Sequence, residues 1–303
     1  MQNLTVVLSD FESQYDSHLL NVRGLSRSTR SLHRHVVHRV FALRFPTGRI
    51  TWNELRFHDF VQFLTQEFVR LHSRETQRAW LTILRSLLRY LADEGCLPRG
   101  WDAALPSIAN RQHAHLPRGL SQEQVRALWA ASEGSKPRNL RDRALLLLFL
   151  RLGLRTEEVV SLIPSDINGK SGTLKIRSAK TCRDRILPLP RDVGKALIAY
   201  LRTRRTPIAR IFDPTRKPPV TEWRYQYYVR NCMRYLFECA GTTDRGVHSL
   251  RHTAATKMIR QGASFKDVAD VLGHKSITTT LIYAKLDMAA LAQVALPWPG
   301  GAR

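Results

Sequence analysis

Cysteine is sparse and scattered in this chain: Cys96, Cys182, Cys232 and Cys239 include no C-x-x-C pair. That spacing points away from both a zinc site and a disulfide framework, and reduced, mostly buried thiols are expected instead. Long apolar runs are missing too. No stretch of about 18 apolar residues is present to span a bilayer, and the N-terminus opens on Ser9, Asp10 and Glu12 where a secretory signal would be apolar. A soluble, cytoplasmic protein with no membrane span is expected. Acidic residues are few: 25 Asp and Glu stand against 48 Lys and Arg, a net charge of +23. Such an excess favours a polyanionic partner, because neutralising phosphates releases their counterions. Nucleic acid and an anionic membrane surface are the candidates that charge alone allows. His33, His35, His38, His113 and His115 lie in Arg-rich surroundings without Cys or Asp neighbours. They are read as surface or interface residues rather than metal ligands.

Lysine is absent from residues 1–118, which carry 16 Arg and 10 acids, whereas residues 119–303 hold 32 basic residues and 15 acids. Between the two compositions, Cys96 to Leu120 contains Pro98, Gly100, Pro106, Pro117 and Gly119, breakers that no helix interior tolerates. Two domains are therefore expected: 1–105, a linker over 106–118, and 119–303. The first reads as a helical bundle. Ser28 is placed to cap a helix with Leu32, Val36, Val40 and Phe41 on one face and a basic stripe of Arg30, Arg34 and His38 on another. Asp59 precedes Phe60, Phe63, Leu64 and Phe68, and Ser73 precedes a run from Trp80 to Leu91 that Gly95 stops. A charged helix face is ordinarily just solvated. Here the Arg-only composition favours DNA-phosphate contacts by Arg30, Arg34 and His38.

The second half is mixed. Ser121 and Gln124 make a capping box, and Leu145 to Leu152 is an apolar helix ending at Gly153. Thr173–Ile176 and Arg185–Pro188 alternate as strands of a β-hairpin around residues 178–184. Helical spacing then returns over 193–201, 223–237, 250–259, 265–272 and 278–286. The fold class is mainly α with a small antiparallel β-sheet in the second domain.

Phosphodiester cleavage needs a nucleophile, donors for the non-bridging oxygens and an acid for the leaving 5′-oxygen. Gly153-Leu154-Arg155-Thr156-Glu157-Glu158, Lys180 in the hairpin, His248-Ser249-Leu250-Arg251-His252, Leu272-Gly273-His274 and Tyr283 supply these types in order. Guanidinium forks at Arg155 and Arg251 suit a phosphate without a metal ion. Taken singly, each residue has a duller reading: Arg155 as a surface residue, Tyr283 as core beside Leu281, Ile282 and Leu286. His248 and His252 are spaced like a zinc pair, but Ser249 stands where a zincin needs glutamate.

Together, these five segments resemble the tyrosine recombinase (phage integrase) family over residues 119–290; residues 1–118 are similar to its core-binding domain only in length, helicity and charge. The resemblance implies that Tyr283 is the nucleophile, Arg155 and Arg251 the two catalytic arginines, and Lys180 the acid for the leaving oxygen. It further implies that His248 is the general base, that His274 bonds the phosphate, and that Glu158 supports Arg155. Lys170 and Lys175 lie close to the hairpin and keep the lysine assignment open. The same resemblance implies a C-shaped clamp on double-stranded DNA, a 3′-phosphotyrosyl intermediate, a Holliday junction, and no cofactor or metal. The partners it implies are inverted-repeat sites, with a dimer on each site and a tetramer in the synapse. The apolar stripe Leu286, Met288, Leu291, Val294 and Leu296 is then read as a tail docking on a neighbouring protomer, with packing in cis as the alternative. Competing functions are a type IB topoisomerase, which shares the chemistry, and a non-catalytic DNA-binding protein that has kept the fold.

Overall fold

Short strands and amphipathic helices build the first part of the chain, and one helix with a buried apolar run organises the second. The computed structural model describes residues 5–109, 119–177, 184–204, 209–214, 222–242, 246–274, 276, 278–281 and 283. The chain divides into two compact units, Met1–Arg111 and Gln112–Arg303, and each closes its own hydrophobic core.

In the first unit, β1 (Thr5–Val7) leads into α1 (Leu8–Asn21), followed by α2 (Arg27–Arg44) and β2 (Arg49–Thr51), which pairs antiparallel with β1. Then come α3 (Phe57–Arg70), α4 (Arg74–Asp93) and the single turn α5 (Trp101–Ala104). Ser73 caps α4 as its sequence suggests, accepting from the Thr76 N–H, and Gly95 leaves the helix at φ +72°. α2, however, is capped by Ser26 rather than Ser28. The Ser26 hydroxyl precedes the helix in extended backbone and reaches the Thr29 N–H, whereas Ser28 already lies inside the first turn. The buried face of α2 also differs from the expected one. Leu32 is exposed and His33 takes the interior place, its Nδ1 3.1 Å from the Tyr15 hydroxyl. That bond lets an imidazole be buried, and burial, then the nearby Arg23 charge, lowers its pKa. His33 is thus a core residue, not a surface one.

The second unit begins with α6 (Gln122–Ala131), whose capping box joins Ser121 and Gln124 in both directions. α7 (Pro137–Leu152) starts with proline at its first position and ends at Gly153, φ +60°. Ala144 to Leu150 are all buried, because α7 is covered by α9, α10 and α11 and has no solvent face along this run. α8 (Thr156–Ser161) comes next, then a three-stranded sheet of β3 (Ile167–Asn168), β4 (Thr173–Ile176) and β5 (Arg185–Pro188) in that order. The β4–β5 hairpin has Leu174 opposite Leu187 and Ile176 opposite Arg185. α9 (Arg191–Leu201), α10 (Glu222–Cys239), α11 (Val247–Arg260), α12 (Phe265–Leu272) and the short α13 (Thr278–Leu281) complete it. A smaller cluster of Ala255, Ile259, Val268, Leu272 and Tyr283 joins α11, α12 and the segment after α13. Among the described residues no helix is long and apolar enough to cross a membrane. The expected tail, Lys180 and the pair His113 and His115 lie outside the described residues.

Candidate active site

The site is organised by the C-terminal end of α12. The last turn of a helix leaves carbonyls without intrahelical partners and carries partial negative charge, so it attracts cations. Three arginines answer it. Arg185 Nε donates to Val271 O at 2.9 Å, Arg251 Nη2 to Leu272 O at 2.7 Å, and Arg155 to Leu272 O at 3.1 Å and Gly273 O at 2.8 Å. Gly273, at φ +64°, leaves room for this gathering: a Cβ there would stand 2.7 Å from Arg185 Nη1.

Each arginine arrives on a different element. Arg155 is the residue before α8, directly after the turn at Gly153, and its backbone N–H donates to Glu158 Oε2 at 2.8 Å. Arg251 sits on the second turn of α11, 8% exposed, and also donates to Gly153 O. Arg185 opens β5 and grips both Glu158 oxygens, at 2.8 and 3.0 Å. Glu158, 3% exposed, also accepts from Arg155 Nη1 at 3.1 Å. Burial pushes its pKa up, but the bonds and charge of Arg185, then those of Arg155, overcome this and hold it below the usual carboxylate range. Arg251 has its pKa lowered to about 10, by burial and then by the Arg155 charge.

The turn that delivers Arg155 is tightly fitted. A Cβ on Gly153 would stand 2.5 Å from Leu272 Cδ2, in backbone that L side chains rarely adopt. Gly153→Ala is expected to cost about 1–3 kcal/mol, the scale of an overpacked core. Chemical denaturation should show a lowered midpoint with an unchanged slope.

Beside the arginines a cavity of about 370 Å³ is lined by Arg155, Arg230, His248, Arg251, His274 and Tyr283, with His252 also on its wall. Tyr283 is 1% exposed, and burial raises its phenol to about 12, against a smaller downward pull from Arg251. Its hydroxyl lies 2.6 Å from His252 Nδ1. His274 bonds Thr280 Oγ1 through Nδ1 at 2.7 Å, and burial, then Arg251, Arg155 and Arg185, depress it to about 4. His248 and His252 are lowered as well, first by burial and then by neighbouring positive charge. At neutral pH these imidazoles are uncharged, so each has one acceptor nitrogen and one donor.

Of the residues singled out in the sequence, Arg155, His248, Arg251, His274 and Tyr283 meet at this cavity, and Glu158 lies behind Arg155. Lys175 faces Asp184 at 3.5 Å. In the other unit Arg30 pairs with Asp16 and His38 with Glu12, while Arg34 is exposed. Three site residues escape the sequence reading: His252, Arg185 and Arg230. His252 carries a signal, its i+4 spacing from His248, but in the sequence that spacing suggests only a metal pair. Arg185 looks like an edge residue of a strand. Among the described residues no group of three or more His, Cys, Asp or Glu could hold a metal ion.

The phage integrase family model matches residues 118–290. A protein of Sinorhizobium fredii named as an integrase or recombinase, y4rA, is 36% identical over 292 residues, covering 95% of this chain and 71% of its own. The tyrosine recombinase XerC of Roseiflexus is 26% identical over 291 residues, covering 94% of this chain and 92% of its own. Among solved structures, XerH recombinase bound to palindromic difH substrate matches with a TM-score of 0.70 at 20% identity, over 93% of this chain and 83% of that one. A lambda integrase dimer bound to a COC′ core site matches with a TM-score of 0.68 at 19% identity, over 93% and 78%.

Proposed function

Because the chain belongs to the phage integrase family of tyrosine recombinases, enzymes that cut and rejoin DNA strands, we propose that Tyr283 is its nucleophile. The phenolic oxygen bonds to the scissile phosphorus, the bond to the 5′-oxygen breaks, and a 3′-phosphotyrosyl link preserves the strand for rejoining. Arg155 and Arg251 turn guanidinium N–H groups from main-chain carbonyls to the non-bridging oxygens, where charge grows during attack. His248 and His274 line the same pocket; His248 is assigned as the general base and His274 as a donor to the phosphate, Glu158 fixes Arg155, and Lys180 is assigned as the acid for the leaving oxygen. The observation that carries this reading is the convergence of two arginines, two histidines and the tyrosine on one cavity.

The partner in this reading is duplex DNA with inverted-repeat sites, bound by a dimer on each site and a tetramer in the synapse. A lambda integrase tetramer bound to a Holliday junction, similar in fold at a TM-score of 0.65, is the kind of assembly meant. Residues 1–105 serve as the core-binding domain and 106–118 as the linker, with Arg34 the best placed of the basic stripe to meet phosphate. No metal or cofactor enters the scheme, and the protein acts in the cytoplasm on the nucleoid.

The test uses duplexes made from DNA flanking the protein's own gene, nicked beside the cut position so that the product strand diffuses away. In EDTA a denaturant-resistant protein–DNA band should accumulate, with the modified peptide containing Tyr283. Its attachment to another residue would overturn the reading. Arg155→Lys or Arg251→Lys keeps the charge but loses the fork, and adduct formation should slow by about 10²-fold or more. Half-site affinity should change little by gel shift; a parallel loss of affinity and rate would reduce these arginines to binding residues.

A further inference from the structure

Glu158 sets a difficulty for a site that handles phosphate. A buried carboxylate close to the pocket repels an anion there, and it competes with that anion for the guanidinium of Arg155. Arg185 removes both effects. From the arrangement of its bonds we propose that Arg185 is a positioning residue: it neutralises Glu158, so that the charge of Arg155 is left for the scissile phosphate. The proposal rests on Arg155 being a phosphate donor, as in the function proposed above.

Three observations carry it. Arg185 meets Glu158 fork to fork, Nη1 to Oε1 at 2.8 Å and Nη2 to Oε2 at 3.0 Å, whereas the Arg155 side chain reaches that carboxylate through Nη1 to Oε1 at 3.1 Å. The paired geometry is the stronger of the two, and Arg185 stands ahead of Arg155 among the causes that hold Glu158 below the usual carboxylate range. Arg185 is also fully engaged away from the pocket. Its Nε donates to Val271 O at 2.9 Å, and its side chain is 13% exposed against 25% for Arg155. Among the described residues that line the cavity, Arg155 is present and Arg185 is not. Arg185 therefore acts through Glu158 and not on the substrate. Lastly, the other bonds of the Arg155 side chain go to neutral main-chain oxygens, Leu272 O and Gly273 O. Exchanging these for a charged phosphate oxygen is favourable, because hydrogen bonds between two ionised groups are the stronger kind. Without Arg185 the whole charge of Glu158 would fall to Arg155, whose fork would close on the carboxylate instead of turning to the phosphate.

The experiment measures adduct formation on the nicked duplex, at saturating DNA and well below the melting point of each protein, for Arg185→Gln with and without Glu158→Gln. Arg185→Gln alone should slow the adduct by about 10²-fold, the scale of one lost oxyanion donor, with half-site affinity little changed by gel shift. In the Glu158→Gln background no carboxylate remains to capture Arg155, and adding Arg185→Gln should slow the reaction little further, the signature of two residues that act as a pair. Arg185→Lys keeps the charge and should be faster than Arg185→Gln. A residue that served the fold alone would lower the melting point in these variants and leave the rate of the folded protein where it was. Equal slowing in both backgrounds would overturn the proposal, because Arg185 would then act independently of Glu158, and so would a wild-type rate in Arg185→Gln. If Arg185→Gln alone fails to fold, the double variant is compared with Glu158→Gln: equal rates uphold the proposal and a further loss of about 10²-fold overturns it. A wild-type rate for Arg155→Lys would instead remove Arg155 from the phosphate, and that outcome fells the proposed role of Arg155 whatever the Arg185 variants do.

Discussion

Tyr283→Phe is expected to bind its DNA site as wild type does and to leave no covalent band at any time or concentration. The substitution deletes one oxygen and nothing else. The ring is held by Ala255, Ile259, Val268 and Leu272, all apolar, so a phenyl group fills the same space. The hydroxyl's one described bond, to His252, is of a kind worth about 0.5–1.5 kcal/mol net. Folding should therefore survive within that margin while the proposed nucleophile is gone. Denaturing gels of the nicked-duplex reaction measure the chemistry, and a thermal melt of the same preparation reports the fold. A residual band in the Phe variant would place the nucleophile elsewhere.

Glu158→Ala should be the most damaging single change to the fold of the second unit. The carboxylate is shared by Arg155 and Arg185, and the Arg185 side chain is only 13% exposed. Removing one partner of a buried ion pair leaves the other uncompensated, at a cost of about 3–5 kcal/mol. For a unit of this size that corresponds to a melting point lower by about 6–20 °C, at about 2–4 °C per kcal/mol. The first unit should keep its own transition, which separates this effect from general misfolding. Activity should fall below what the stability loss explains, because Arg155 loses its backbone and side-chain bonds to Glu158 and keeps only those to the α12 carbonyls. Glu158→Gln, which keeps the shape and the acceptor oxygen, should be milder on both counts. Equal melting points for Glu158→Ala and wild type would mean that the arginines are held by the α12 carbonyls alone.

Where one residue pattern has one physical solution, the fold is legible from the amino acids. The Ser121 capping box, the Ser73 cap, the end of α7 at Gly153 and the limits of α12 all fall where spacing puts them. The strands β1, β2 and β3 do not show, because two or three residues are too few to display a period of two. The burial of His33 is hidden because it depends on Tyr15, eighteen residues away, which no local pattern reveals. Among site residues, Arg155, His248, Arg251, His274 and Tyr283 are visible as an ordered set of chemical types. Arg185 and His252 are not, since their importance lies in contacts with Glu158, Val271 and Tyr283 across the fold.

The gathering of three guanidiniums on the end of α12 has a thermodynamic corollary. The N–H groups of Arg155 and Arg251 that would face a phosphate are the same ones that tie down the carbonyls of Leu272 and Gly273. Ten residues further on, the chain reaches Tyr283. On the proposed function, anion occupancy and the hold on the α12 turn draw on a common set of donors, and the two are energetically linked. Linkage is reciprocal: if an anion loosens the α12 turn, then whatever loosens that turn by other means strengthens the anion's hold. In the proposed reaction, phosphate recognition and the closure of the α12 turn then become two readings of a single equilibrium, with the helix end as its pivot.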